Sequence, residues 1–236
     1  MKVIGKEIGD ALDALHEQIQ SRLRVEAELD LRIEAFEREA LSNVRWGEDA
    51  VTIELHEGVP THALPHVFAV ALQHLRQRLD RYPDVRRPPG EQEETAPALR
   101  QALRELVLAP EAEMQIAALE LDQEWEQEQR HAALKEMLRE PPESWSEPGS
   151  DGEKFMALHY ARFATQHPPE MWEGLGKTFA ETLSGATERG EAVVRLIHDL
   201  GWGTPGACLQ SLVAARDELD LREVALVEDR RSGELH

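Results

Sequence analysis

Residues 51–76, VTIELHEGVPTHALPHVFAVALQHLR, constrain this chain more than any other stretch. Val51, Ile53 and Leu55 alternate with Thr52 and Glu54, the two-residue period of a strand with one face buried and one wet. Gly58 and Pro60 then break the pattern, and Pro65 suits the first turn of an apolar helix that must stop before Pro83. A half-buried strand feeding an apolar helix needs further layers to cover both, which points to an α+β fold. Gly47-Glu48-Asp49 offers a turn that pairs the strand with 43–46. The apolar run Glu223-Val-Ala-Leu-Val-Glu228 is expected to join it, giving a small sheet of about 43–55 with 223–228 packed on a helical core.

The rest of the chain reads as predominantly helical. Ile4, Ile8, Leu12, Leu15, Ile19 and Leu23 recur at steps of three and four, and Leu29, Ile33 and Phe36 continue the stripe. The spacing predicts one long amphipathic helix within an N-terminal arm, 1–42. Hydrophobic spacing does not distinguish burial inside a chain from burial between chains. Ile8, Leu12, Leu15, Ile19 and Leu23 are therefore candidate partner-binding residues, for another protein or a homo-oligomer, or else part of their own domain's core.

Residues 43–228 are expected to form the main domain. Within it, the Pro- and Glu-rich segment 84–97 reads as a loop, and Pro110 is expected to part helices over 98–108 and 111–139. A second loop covers 140–150. Ser150 and Glu153 make the S-x-x-E pattern of a capping box, opening a helix to about Gln166. Shorter helices follow over 169–183, 188–200 and 205–219, the last with Thr204 as N-cap and Pro205 at the first helical position. Residues 229–236 read as a polar tail.

Charge and composition exclude some classes. Forty-six acids against 26 basic residues give a net charge of -20, which repels phosphate backbones and anionic lipid, so no direct nucleic-acid or membrane binding is expected. A basic protein partner is compatible with that charge. Cys208 is the only cysteine, which leaves no intramolecular disulfide and no cysteine-based zinc cluster and suits a reducing cytoplasm. No apolar signal segment and no run of ~18 apolar residues is seen, so a soluble cytoplasmic protein is expected.

The chemistry-bearing residues gather around the same strand and helix. Zincins hold metal with H-E-x-x-H because residues four apart share one helical face, the glutamate activating the metal's water. Against a pattern of the type A-H-E-L-x-H-L-R, the phrase AVALQHLR places Val70 at the first histidine, Ala71 at the catalytic glutamate and His74 at the second histidine. With its V-x-I-x-L strand and Pro-containing loop, the region from Val51 to Leu138 resembles the small bacterial zincin-like metallopeptidases of the ImmA/IrrE type. The resemblance implies a third, acidic ligand on a later helix, with Glu111 and Glu113 the nearest candidates. It also implies a role in regulation, stress or phage defence through protein targets. Without the first histidine and the glutamate the usual hydrolytic route fails, so the resemblance implies a pseudoenzyme with no catalytic residue and no resident metal.

Other histidines leave an alternative open. His56, His62 and His66 lie near the turn before the helix and could supply loop-borne zinc ligands with His74, Glu111 or Glu113. His66 and His74, if both helical, stand ~12 Å apart along the axis and cannot share one ion. The bland reading of His74 is a histidine at the margin of the helix's apolar arc. Gly174-Leu-Gly-Lys-Thr178 imitates the end of a phosphate-binding loop, but Met171 stands where its first glycine belongs, so it reads as helix interior. Three functions remain: a non-catalytic zincin-like interaction module, a divergent metal hydrolase using loop histidines, and an acidic helical adaptor of the immunity or antitoxin kind that binds a basic partner.

Overall fold

A computed structural model describes residues 1–37, 40–90 and 96–236. The fold is α+β and predominantly helical. It divides into two compact units, one formed by Met1–Asp80 with Ala112–Glu128 and the other by Arg81–Glu111 with Gln129–His236. The expected split into an arm (1–42), a single domain (43–228) and a tail (229–236) therefore differs from the observed one. Among the described residues no helix is long and apolar enough to cross a membrane.

The first unit opens with a small antiparallel hairpin, β1 (Lys2–Val3) and β2 (Lys6–Glu7), not with helix. Helix α1 (Asp13–Arg22) follows and runs on as a π-helical turn over Leu23–Ala27. Glu28 ends it in the left-handed region at φ 57°. Strand β3 (Asp30–Phe36) comes next, so the long N-terminal helix read from the stripe is corrected: Leu29, Ile33 and Phe36 lie beyond the helical turn. Residues 38 and 39 of the expected arm lie outside the described residues.

Strand β4 (Ser42–Trp46) and β5 (Ala50–His56) form the anticipated hairpin, with Val44 opposite Ile53. β5 is the central strand, pairing on its other side with β3 in parallel register, Ile33 opposite Ile53. Val51, Ile53 and Leu55 are completely buried, as their alternation required. Helix α2 (Leu64–Leu79) begins at the proline and packs into the same core, which includes Leu12, Ile19, Leu23, Phe68, Leu72 and Leu75. Side chains of this size each contribute about 1.5–3 kcal/mol when fully buried. Ile8, Leu12, Ile19 and Leu23 are at most 8% exposed and Leu15 is half-buried against them. They are spent inside the first unit, which corrects their assignment as a partner-binding stripe.

In the second unit β6 (Asp84–Arg86) pairs with β7 (Leu226–Asp229), and β7 with β8 (Glu234–Leu235). The C-terminal strand thus joins residues read as a loop rather than the sheet around β5, and the expected polar tail is the second arm of a hairpin. Ion pairing fixes the first contact: Asp84 receives Arg230 at 2.5 Å and Arg104 at 3.4 Å, and Arg86 reaches Glu228 at 2.7 Å. Residues 91–95 of the expected 84–97 loop lie outside the described residues.

Helix α3 (Pro97–Ile116) continues through Pro110, which corrects the expected break. Proline removes one intrahelical donor, but Leu106, Val107, Leu108, Ala109 and Ala112 flank it at no more than 3% exposure, and their burial holds the helical path. The break falls later, at a 3-10 turn over Ala117–Leu119 before α4 (Glu124–Met137). Helix α5 (Asp151–Gln166) has the predicted N-cap: Ser150 Oγ accepts from the Glu153 amide at 3.0 Å. Glu153 reaches back one residue further than a capping box requires, accepting from the Gly149 amide at 2.7 Å.

Helices α6 (Pro169–Thr182), α7 (Ser184–Leu200) and α8 (Pro205–Glu218) complete the unit, α8 capped by Thr204 as expected. Gly174 to Thr178 lie inside α6. Gly190 lets α7 approach α5 closely, since a Cβ there would meet Tyr160 Cδ1 at 2.6 Å. Tyr160 is itself wedged edge-on between Trp172 and Phe179, with ring centroids at 5.1 and 5.2 Å.

Candidate functional site

The residues that carry the zincin resemblance lie on α2, and the strand, turn and helix that position them stand where the sequence put them. Their surroundings decide what they can do. Phe68, Ala71, Leu72 and Leu75 are fully buried, and the polar flank is closed as well, with Gln73 at 4% and Gln77 at 2% exposure. Ala71, at the position of a catalytic base, has no exposed surface, and Val70 packs partly buried against the same core.

His74 lies beside an amide of its own helix. Its Nδ1 lies 2.9 Å from Gln77 Oε1, and an amide oxygen as acceptor places the imidazole proton on Nδ1. On the same helix, Arg76 Nε donates to Gln73 Oε1 at 2.5 Å and its Nη1 lies 3.0 Å from Asp80. Asp80 in turn takes Arg22 at 2.8 Å, tying the end of α2 to the end of α1. The Gln77 amide orients His74.

The remaining histidines are dispersed. His56 Nδ1 accepts from the Gly58 amide at 2.9 Å, and its ring meets Phe36 edge-on at 6.0 Å. His62 is exposed in the turn before α2. His66 is not a loop residue: it sits in the first turns of α2, is 3% exposed, and places Nδ1 2.9 Å from Glu126 Oε2. That pair is the chemically most capable one in the first unit, because a carboxylate at Nδ1 fixes the ring and leaves Nε2 as the basic nitrogen. At 3% exposure the ring has almost no solvent contact, which suits an internal tie better than a proton shuttle. The sequence offered no signal for Glu126, sixty residues away and one of many glutamates on α4.

A fifth histidine, His16, lies with its ring 6.0 Å from Phe68. Burial pushes its pKa below the usual value, outweighing Asp13 and Glu17, which act in the opposite direction. Among the acidic candidates, Glu113 is half-buried in the first unit. Glu111 belongs to the second, where it is completely buried and accepts from the Tyr82 hydroxyl at 2.8 Å.

These donors do not fit a zincin metal. Two of the three motif positions are apolar side chains in a core, His74 faces an amide, and among the described residues no group of three or more His, Cys, Asp or Glu side chains could hold an ion. No protein-family model, no curated protein and no solved structure matches this chain.

Proposed function

We propose that this chain is a non-catalytic, zincin-like interaction module that binds a protein partner, of the regulatory kind found in bacterial stress and phage-defence systems. The observation that carries the reading is the complete burial of Ala71 at the position of the zincin base. A catalytic helix must turn that position towards a substrate; α2 turns it into an apolar core. The divergent-hydrolase alternative draws an ion site from among His56, His62, His66, His74, Glu111 and Glu113, and among the described residues no group of three or more such side chains comes together to support it.

The charge distribution favours a basic partner and supports the adaptor reading alongside. No Lys or Arg occurs between Arg104 and Arg130. Within that run Glu120, Asp122, Glu124 and Glu128 are exposed. Like charges crowded in this way repel one another, and a cationic partner would relieve that repulsion.

The test has two arms on the purified full chain. Zinc content and cleavage of a fluorescent casein substrate are measured for the wild type and His74→Ala; no bound zinc and no cleavage are expected from either. Metal-dependent cleavage lost in His74→Ala would overturn the proposal. In the second arm, a stoichiometric complex isolated with its native partner should weaken as salt rises, and a salt-insensitive complex would remove the basic partner from the reading.

A further inference from the structure

The second unit carries a row of rings of its own. On α5, Phe155, His159 and Phe163 follow at steps of four, and His167 extends the row from the extended residue that ends the helix. Their ring centroids are spaced 4.3, 6.1 and 4.6 Å in turn. His131, on the part of α4 that belongs to this unit, lies 6.0 Å from His167 with the two rings inclined by 28°. His167 is only 7% exposed, and Pro168 behind it holds its backbone extended.

The three imidazoles share an unusual feature. His131 Nδ1, His159 Nδ1 and His167 Nε2 are each buried with no hydrogen-bond partner. A buried ring nitrogen without a partner is tolerated far better in a neutral ring than in a charged one, since an imidazolium must place both N–H groups and a positive charge. The neighbours add to this. Arg130 and Arg162 face His167, Arg162 also faces His159, and both arginines oppose a further positive charge. Arg162 is held by Gln166 Oε1 at 2.9 Å. The acid in contact with it, Glu105 of α3 at 3.6 Å, is shared with Arg104 at 3.4 Å.

We propose that His159 and His167 form an acid-operated latch, which when neutral holds His131 of α4 against the end of α5 and when protonated drives that contact open. Leu134 and Leu138 lie in the apolar core of the same unit and carry α4 whether or not the latch is charged, so opening is local. Burial, reinforced by Arg162 for His159 and by Arg130, His131 and Arg162 for His167, lowers both pKa values to about 4 from an ordinary 6.5. A lowered histidine pKa stabilises the closed form fully above pH 6.5, and the contribution declines as pH falls from 6.5 towards 4.

The test uses the full chain. Backbone hydrogen exchange, corrected for the intrinsic rate at each pH, is followed over residues 129–137 and 155–167 between pH 7.5 and pH 5. The opening equilibrium should rise roughly 30-fold at pH 5 for each of His159 and His167, while β5 and α2 remain protected. The His131→Phe, His159→Phe, His167→Phe variant should lose that dependence, and the exposed His62→Gln control should keep it. A histidine ring titration of the wild type by NMR gives a reading even if the triple variant does not fold. Midpoints below pH 5 for His159 and His167 are expected. Midpoints near 6.5, or a triple variant that opens with the wild-type pH profile, would overturn the latch.

Discussion

Replacing Gly190 by alanine tests the packing of the second unit at one atom. The new Cβ would lie 2.6 Å from Tyr160 Cδ1, 2.8 Å from its Cβ and 2.9 Å from its Cγ. A contact with Tyr160 Cβ cannot be relieved by rotating the ring, because that atom is fixed to the backbone of α5. Nor is the ring free to tilt, with Trp172 and Phe179 set against it. Helix α7 must therefore move away by several tenths of an ångström, and overpacking of this kind costs about 1–3 kcal/mol. Alanine returns about 1 kcal/mol in helix propensity, so the expected net loss is about 0–2 kcal/mol. Gly174→Ala is the matched control: it lies inside α6 with nothing within 4 Å of its added methyl, so only the propensity gain of about 0.5–1 kcal/mol remains. Urea unfolding followed by tryptophan fluorescence, to which Trp172 beside Tyr160 contributes, separates the two. If Gly190→Ala proved as stable as Gly174→Ala, the close approach of α5 and α7 described above would be wrong.

Three further outcomes follow from individual contacts. Ser150→Ala removes the acceptor for the Glu153 amide and should cost about 1 kcal/mol in urea unfolding, whereas Ser150→Asp should restore most of it. Tyr82→Phe removes the 2.8 Å bond to the buried Glu111 carboxylate, and a thermal-melt or denaturant loss of about 1–3 kcal/mol is expected. Cys208 is fully buried with its thiol donating to the Trp202 carbonyl, so a thiol reagent should modify it only at the rate of unfolding; fast labelling of the native chain would contradict that placement.

Much of the local structure was legible because its signals are local. The Ser150 and Thr204 caps, the proline at the start of α2, and the turn between β4 and β5 each act within four residues, and each stands as read. The N-terminal stripe misled for a physical reason. Leu29, Leu31 and Ile33 alternate as well as they fit a helical step, and the chain leaves its helix through a π turn and a left-handed Glu28, with no glycine or proline to mark the change. Pro110 misled in the opposite sense, a local breaker overruled by the burial on both sides of it. The pairing of β6 with β7 and the tie between His66 and Glu126 join residues far apart in the chain, and nothing local announces either. For the candidate site, the sequence identified the strand and helix that position His74, Val70 and Ala71. It could not show that Ala71 faces a closed core or that Gln77 orients the remaining histidine.

The way the two units share the chain has a practical corollary. The first is made from Met1–Asp80 and Ala112–Glu128, the second from the segments between and after. A fragment stopping at Asp80 lacks Ile116 from its apolar interior and leaves His66 without Glu126. A ribosome must therefore deliver part of the second unit before the first has all its pieces. No single protease cut divides the polypeptide into two self-sufficient halves, and anyone wishing to isolate the amino-terminal unit would need to splice its two segments together across the excised 81–111.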